Sequence, residues 1–435
     1  MKSKSFKKAI ALWIMLIMLC VSILDCNTKK QKDNTNLFLG LFLLSRSSST
    51  NSLGSENRST VLSTYNNDYL QSTVVSLGWT GSVSGCIAGT TSDDSQTKTL
   101  NRINFFRNRV ELGNVSWDTT TFSKTQEAAL MMKANNTLNH NPPSTWTCYT
   151  SDGANAAGSS NLAGSHSADA ITAYMQDAGS NNTAAGHRRW ILYSRAQTMG
   201  SGNTDTSNAL WVIGNFASSY PSSMPTFISW PPKGFIPRQL VFDRWSFSVP
   251  AADFTNATVT MTAADNSNIS LSKEPIAVGY GDNTIVWIPT GINTSSKSDI
   301  LYTIKISNVI VSGVTKSYEY TVNIIDPGDS GVATEIPNVT WTTTGFFGFY
   351  QAIGQRFILN CPSGGTANNL WGVDQYIYLS SVCTAAVHAG KITLATGGKV
   401  TIIIRDGVST FTGSTRNGVT SYSQSGWTSK HFVFE

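Results

Sequence analysis

The run GHRRWIL at residues 186–192 is the stretch that says most about the fold of the first half of the chain. Two other blocks precede it, LNHNPP at residues 138–143 and SSNLA at residues 159–163. The adjacent prolines of the first block end any helix there, because proline lacks a backbone N–H and clashes with the preceding turn. The three blocks therefore divide the region around them into short segments whose secondary structure can be predicted one at a time.

Helical periodicity is clearest within residues 97–200. Apolar residues within 100–110 mark one face of a first helix, Asp118 is placed to cap a second, and Ser167 a third. Short apolar runs at residues 189–193 and 209–213 predict strands between turn residues. Helices and strands mixed in this order predict an α+β sandwich.

Together with LNRIN at residues 100–104 and SWD at residues 116–118, the three blocks resemble the CAP superfamily. This superfamily comprises cysteine-rich secretory proteins, antigen 5 and plant pathogenesis-related 1 proteins, and the similarity is closest to its bacterial branch. The resemblance covers residues 96–216 and implies an α–β–α sandwich with two histidines and two acids in one cleft. Members of the superfamily are associated with lipids and sterols.

The resemblance also assigns candidate site residues. His140 and His187 match the two histidines and Asp177 the second acid, so these three are candidate ligands for a divalent metal such as zinc. Ser160 stands where the family has its first glutamate, with Asn161 beside it in the cleft. Losing that carboxylate removes a metal ligand and an acid–base group, so we expect binding without catalysis. The alternative is a metal-assisted hydrolase using His140, Asp177 and His187.

The period of the apolar residues changes to two between residues 227 and 326. Four runs separated by polar turns predict strands at 257–261, 284–288, 301–306 and 318–325. Strands at this spacing over about 100 residues are typical of an immunoglobulin-like sandwich. We assign it to residues 217–327, expect it to act as a spacer, and assign the glycine-containing stretch 328–337 to a linker.

The C-terminal region carries a second family resemblance. The run SSVCTAAVHAG at residues 380–390, together with NCP, LWGV and TGSTRNGV blocks around it, resembles the LCCL domain over residues 338–435. The resemblance implies a small α+β domain that binds lipopolysaccharide or matrix-like polymers. We expect a central helix within residues 382–388 and a buried, hydrogen-bonded His388. Gly365 stands where the family has a cysteine.

The N-terminal region predicts export. Residues 1–25 combine four lysines with an apolar run that is short for a membrane-spanning helix. This combination is typical of a signal peptide. Cys26 follows, and the stretch resembles a bacterial lipoprotein signal. We therefore expect lipidation of Cys26 and an outer-membrane, cell-surface or secreted protein. Residues 26–95, rich in Ser, Thr and Asn, are assigned to a tether that includes the segment around Cys86.

Cysteine usage agrees with an oxidising compartment. Apart from Cys20 and Cys26, the chain has four cysteines, for which three pairings are possible. Proximity in sequence favours Cys86 with Cys148, and Cys361 with Cys383.

Composition excludes some partners. The 435 residues carry a formal net charge of +5, much of it from the lysines before residue 25, and only 13% are charged. A nearly neutral remainder is a poor candidate for nucleic-acid binding. The CAP and LCCL resemblances, together with the signal-like N-terminal region, imply an exported, lipid-anchored, non-enzymatic protein that binds lipids, lipopolysaccharide or glycans at the cell envelope or at a host interface. Trp190 and Trp230 are candidates for stacking on such ligands.

Overall fold

The computed structural model describes residues 56–330, 333–345 and 353–435, apart from the side chain of Trp427. The predicted signal peptide, Cys26 and the start of the predicted tether lie outside the described residues. Within the described ranges, no helix is both long enough and apolar enough to cross a membrane.

The described residues include seven α-helices. They are α1 (Arg58–Thr64), α2 (Asp93–Arg109), α3 (Phe122–Asn135), α4 (Ser151–Gly158), α5 (Ser167–Gln176), α6 (Gly186–Ile191) and α7 (Val382–His388). The three helices predicted in the first half are α2, α3 and α5. Asp118 caps a short 3₁₀ turn that leads into α3, and Ser167 is the first residue of α5. The strand predicted at 189–193 is wrong, because residues up to Ile191 form α6, and so short an apolar run does not distinguish strand from helix.

A four-stranded sheet forms the middle layer of the CAP-like region. Its strands are β1 (Ser116–Trp117), β2 (Ser160–Ala163), β3 (Thr198–Thr204) and β4 (Ser207–Trp211), in the order β1-β3-β4-β2. Leu162 and Ala209 pack with α3 and α4 in one apolar cluster, whereas Met199 and Leu210 pack with α2 and α5 in another. Helices therefore cover both faces of the sheet, and the predicted α–β–α sandwich is confirmed.

The predicted tether is wrong for residues 58–95. After α1 the chain makes a π-helical turn at Tyr65–Tyr69, and Val61, Tyr65 and Tyr69 are buried. Tyr69 packs on Phe105 of α2 with 5.2 Å between ring centroids. The segment folds because these apolar residues recur every four positions and so line one helix face. The average composition of the segment does not reveal this spacing.

Residues 217–327 form two four-stranded sheets. The first has the order β5-β7-β10-β9 and the second β6-β12-β11-β8. The strands are β5 (Ile228–Trp230), β6 (Gly234–Pro237), β7 (Trp245–Ser248), β8 (Thr258–Ala263), β9 (Leu271–Lys273), β10 (Thr284–Pro289), β11 (Ile300–Val311) and β12 (Val314–Ile325). All four predicted strands are present, and we call this β-sandwich the middle domain.

The middle domain packs against the CAP-like region and is not a spacer. Its Trp230 meets Phe106 of α2 edge to face at 5.2 Å between ring centroids, and one apolar cluster runs from α2 and α5 into both sheets. Burial of this continuous apolar surface stabilises the two regions together. The expectation of a spacer is therefore wrong.

The C-terminal domain is built on a six-stranded sheet of order β13-β14-β17-β20-β16-β15 with a separate pair β18-β19. Its strands are β13 (Ala333–Ile336), β14 (Arg356–Cys361), β15 (Gly372–Val373), β16 (Gln375–Ile377), β17 (Gly398–Phe411), β18 (Thr415–Arg416), β19 (Val419–Thr420) and β20 (Gln424–Phe434). The predicted central helix is α7, capped by the Ser381 hydroxyl. Strand β13 falls inside the predicted linker and pairs with β14.

Both predicted disulfides are confirmed, Cys86–Cys148 and Cys361–Cys383. The structure also accounts for the glycine at position 365. A Cβ there would lie 1.7 Å from the Trp341 ring, whose Nε1 donates a hydrogen bond to the Pro362 carbonyl. The indole therefore occupies the space that a cysteine side chain would need.

His388 in α7 is fully buried, as expected. Its Nδ1 lies 3.0 Å from the Tyr376 hydroxyl and its Nε2 lies 3.1 Å from the Ser414 hydroxyl. Desolvation by burial lowers the pKa of His388 below its ordinary value of 6.5.

Acid should therefore destabilise the fold through His388. At pH values below about 6.5 the unfolded chain binds more protons than the folded one, so stability falls as the pH falls, by at most about 1.4 kcal/mol per pH unit for one histidine. Urea unfolding of the wild type and His388→Gln at pH 7.5 and pH 5 measures the effect. We expect a smaller loss between the two pH values in the variant; an equal loss would contradict this role of His388.

Candidate functional site

A cleft of about 540 Å³ lies where the predicted site residues meet. This volume is within the range of about 300–1,000 Å³ that small-molecule sites usually have. The lining residues come from the segments that follow α3, α5 and β4, from α4, α6 and β2, and from the middle domain. They are Leu138, His140, Gly158, Ser160, Asn161, Leu162, Asn181, Asn182, Ala184, Gly186, His187, Trp190, Val212, Ile213 and Tyr280. Both predicted histidines therefore share one cleft.

His140 lies in the loop after α3, where the prolines prevent a longer helix. Its Nδ1 lies 2.9 Å from the Ala157 carbonyl oxygen at the end of α4. A carbonyl only accepts hydrogen bonds, so Nδ1 carries the proton and, in the neutral ring, Nε2 carries the lone pair. The ring thus offers Nε2 to a hydrogen-bond donor.

His187 is held from two sides. Its Nδ1 lies 2.8 Å from Asp177 Oδ1, and its ring stacks on Tyr174 with 5.4 Å between centroids. The Asp177 side chain is fully buried, and its other oxygen accepts a hydrogen bond from the Arg188 backbone N–H. The carboxylate therefore orients His187 and fixes the proton on Nδ1, leaving Nε2 available.

These residues do not fit a metal centre. Asp177 does not line the cleft, because its two oxygens are already used by His187 and Arg188. No group of three or more His, Cys, Asp or Glu in the described parts of the chain could hold a metal ion. The described residues therefore do not assemble His140, His187 and Asp177 into a ligand set, since they place no third ligand of these types beside the two imidazoles.

Ser160 and Asn161 line the cleft from β2. The Asn161 side-chain amide donates to the His187 carbonyl, and the Asn161 carbonyl accepts from the Tyr174 hydroxyl, both at 3.0 Å. The Ser160 hydroxyl oxygen is buried and has no hydrogen-bond partner among the described residues. Asn161 therefore helps to fix the position of His187. The Ser160 hydroxyl remains able to form a hydrogen bond beside the cleft.

The cleft wall carries no formal charge. None of its lining residues is Asp, Glu, Lys or Arg. Hydroxyl, amide and imidazole groups supply the polar part, whereas Leu138, Ile213 and Tyr280 expose 45%, 42% and 39% of their surface. Such a wall can hydrogen-bond an uncharged polar ligand and cover its apolar faces, but it offers no counter-ion to an ionised one.

Charged side chains usually lie at the surface, but those of Arg188 and Arg189 do not. Both are buried, and the guanidinium of Arg188 donates to the carbonyls of Met175, Gln176 and Arg244. Burial lowers the pKa of each arginine to about 10, which leaves both charged at neutral pH. They fasten α6 to its surroundings beneath the cleft.

The sequence identified Trp190 but missed Tyr280. Trp190 lines the cleft and stacks on Phe216 with 5.8 Å between ring centroids. Trp230, in contrast, is fully buried and offers no stacking surface to a ligand. Tyr280 comes from the middle domain, almost 100 residues away from His187. Its only sequence signal is an aromatic residue between two glycines.

Two domain families are present in the chain. Residues 100–216 match the family model of the cysteine-rich secretory protein family, CAP, and residues 340–431 match that of the LCCL domain. The fold and the cleft thus define a multidomain protein in which a CAP domain, a β-sandwich and an LCCL domain follow one another.

Similar proteins match through the LCCL domain. The chain is 41% identical over 75 residues to clotting factor C of Tachypleus tridentatus, covering 17% of this chain and 7% of that protein. It is 39% identical over 87 residues to vitrin of Homo sapiens, covering 20% of this chain and 13% of that protein. The matches therefore span only a small part of each relative.

Proposed function

We propose that this chain is an exported, non-enzymatic binding protein whose CAP cleft takes an uncharged glycan. The observation that carries the proposal is the chemistry of the cleft wall, which combines hydrogen-bonding groups with two aromatic rings and has no formal charge. Sugars present the same combination, since hydroxyl groups surround each ring and its C–H faces pack on aromatic side chains.

The uncharged wall also favours a glycan over the other expected ligands. A phospholipid headgroup or the phosphates of lipopolysaccharide would bring negative charge into a cleft that has no lysine or arginine in its wall. Removing such a charge from water without a partner is costly. An uncharged sterol or glycolipid also avoids the cost of burying a charge, but the polar side chains of Ser160, His140 and His187 in the cleft lining favour a ligand with many hydroxyls.

Binding is favoured over turnover because the cleft wall lacks a carboxylate. The imidazoles of His140 and His187 are able to transfer protons, but hydrolysis by a pair of carboxylates needs both carboxylates within reach of the substrate. The Asp177 carboxylate is buried behind His187, and Ser160 stands where a glutamate is usual in the family. A metal-assisted hydrolase would need a third ligand from outside the described residues or from the substrate.

Export and anchoring belong to the same proposal. The two disulfides support an oxidising compartment. Lipid on Cys26 would hold the folded domains at a membrane surface, where each buried methylene contributes about 0.8 kcal/mol. The LCCL domain is then a second binding module on the same anchored chain.

Calorimetric titration with uncharged oligosaccharides tests the proposal. The probes are cellohexaose, maltohexaose, mannohexaose and chitohexaose, with vesicles of phosphatidylglycerol as the charged comparison. We expect at least one hexaose to bind, and Asn181→Ala to weaken it about three- to tenfold, the worth of one or two net hydrogen bonds. Asn67→Ala, an exposed asparagine away from the cleft, is the control. Binding to the vesicles alone would overturn the proposal.

A further inference from the structure

We infer that Tyr280 of the middle domain is a ligand-contacting residue of the CAP cleft, and that it stacks on a sugar ring at the rim and so selects longer glycans. This inference rests on the proposed function. It makes the cleft a composite site of two domains, in which the CAP domain supplies the floor and the middle domain one wall.

The segment that carries Tyr280 is held in a fixed position. One guanidinium nitrogen of Arg189 donates to the Ala277 carbonyl and the other to the Asp282 carbonyl, both at 3.0 Å. These two bonds bracket Tyr280 in sequence. The Asp282 carboxylate in turn accepts hydrogen bonds from the backbone N–H and the hydroxyl of Ser194, which follows α6. The segment is thus attached to the CAP domain by buried polar contacts.

The Tyr280 ring fits closely against α6. A Cβ on Gly186 would lie 2.8 Å from the Tyr280 ring, so the absence of a side chain at position 186 makes room for the ring. Gly186 directly precedes His187, and both residues line the cleft. The Arg189 guanidinium lies 5.4 Å from the centre of the Tyr280 ring on the protein side. The ring is therefore positioned beside His187.

The Tyr280 side chain is accessible to a ligand. Tyr280 lines the cleft and yet exposes 39% of its surface, which places it at the rim and not on the floor. Ile276 and Val278, at alternate positions before it, are also exposed. An exposed ring held rigidly loses little conformational entropy on binding, which makes it an effective stacking surface.

The test compares ligand lengths. Kd is measured by calorimetry for a hexaose that binds the wild type and for the matching disaccharide, with Tyr280→Ala, Tyr280→Phe and the control Tyr220→Ala. Tyr220 is 43% exposed and also packs on an arginine, but it lies outside the cleft. We expect Tyr280→Ala to weaken the hexaose about five- to tenfold and to leave the disaccharide unchanged. Tyr280→Phe and Tyr220→Ala should bind both ligands as the wild type does.

The outcomes separate this inference from the proposed function. Equal hexaose binding by Tyr280→Ala and wild type would overturn the role of Tyr280 and leave the glycan proposal standing. Equal weakening of hexaose and disaccharide would also overturn it, because a damaged cleft would then explain the loss. If the wild type binds none of the four hexaoses, both proposals fail.

Discussion

Replacing Arg188 by methionine should lower the free energy of unfolding by about 3–5 kcal/mol. The guanidinium is fully buried and donates to the carbonyls of Met175, Gln176 and Arg244, and to the Ser246 hydroxyl. Methionine fills much of the space but donates nothing, so these acceptors stay buried without partners at a cost of about 1–3 kcal/mol each before relaxation. Relief of the desolvation of the charge offsets part of that cost.

Urea unfolding followed by tryptophan fluorescence measures the effect, with Arg416→Met as the matched control. The Arg416 side chain is 45% exposed and pairs with Asp374 at the surface, so its loss should change stability by less than about 1 kcal/mol. Arg188→Lys keeps the charge but cannot span the same carbonyls, so it should also destabilise. A change below about 1 kcal/mol for Arg188→Met would show that these bonds do not fasten α6 to the middle domain.

Replacing Trp230 by alanine should cost about 3–5 kcal/mol as well, and the loss should reach both the CAP domain and the middle domain. Trp230 is fully buried, contacts Phe106 of α2 and Phe242, and donates from Nε1 to the Leu240 carbonyl. Because its neighbours come from both domains, the cavity would remove contacts from both at once.

Hydrogen exchange read by mass spectrometry distinguishes a shared core from two separate ones. Peptides from α2 and from β7 should lose protection together in Trp230→Ala. Tyr422→Ala, which removes an aromatic side chain exposed to 59% on the C-terminal domain, should leave both peptides unchanged. If β7 loses protection while α2 keeps it, the two domains unfold independently and the continuous core carries no joint stability.

The sequence predicted those helices, strands and disulfides whose pattern lies within a short stretch of the chain. Helix α7 was predicted at its observed residues because serine caps it and small and apolar residues follow at helical spacing. The strands of the middle domain followed from their period of two, and both disulfides from proximity in sequence. His140 and His187 were placed in one cleft by resemblance to a family, and the structure brings them together there.

What the sequence missed depends on contacts between distant segments. Tyr280 lines a cleft formed mainly by residues 138–213, and no local pattern connects it to them. Burial of Arg188 and Arg189 has no local signal in the sequence, because charged residues are rarely buried and only the tertiary fold supplies the carbonyls that satisfy them. Asp177 was expected to face a metal, whereas the left-handed turn that ends α5 places its carboxylate behind His187.

The central claim is that the cleft holding His140 and His187 is a ligand site, and the chain offers a direct probe of it. It contains five histidines, two in the cleft and three elsewhere, His166, His388 and His431. In a protein labelled with ¹³C-histidine, adding a saturating hexaose should shift the imidazole signals of His140 and His187 and leave the other three in place. Shifts confined to His388 and His431, or no shift at all with any of the four hexaoses, would contradict the claim.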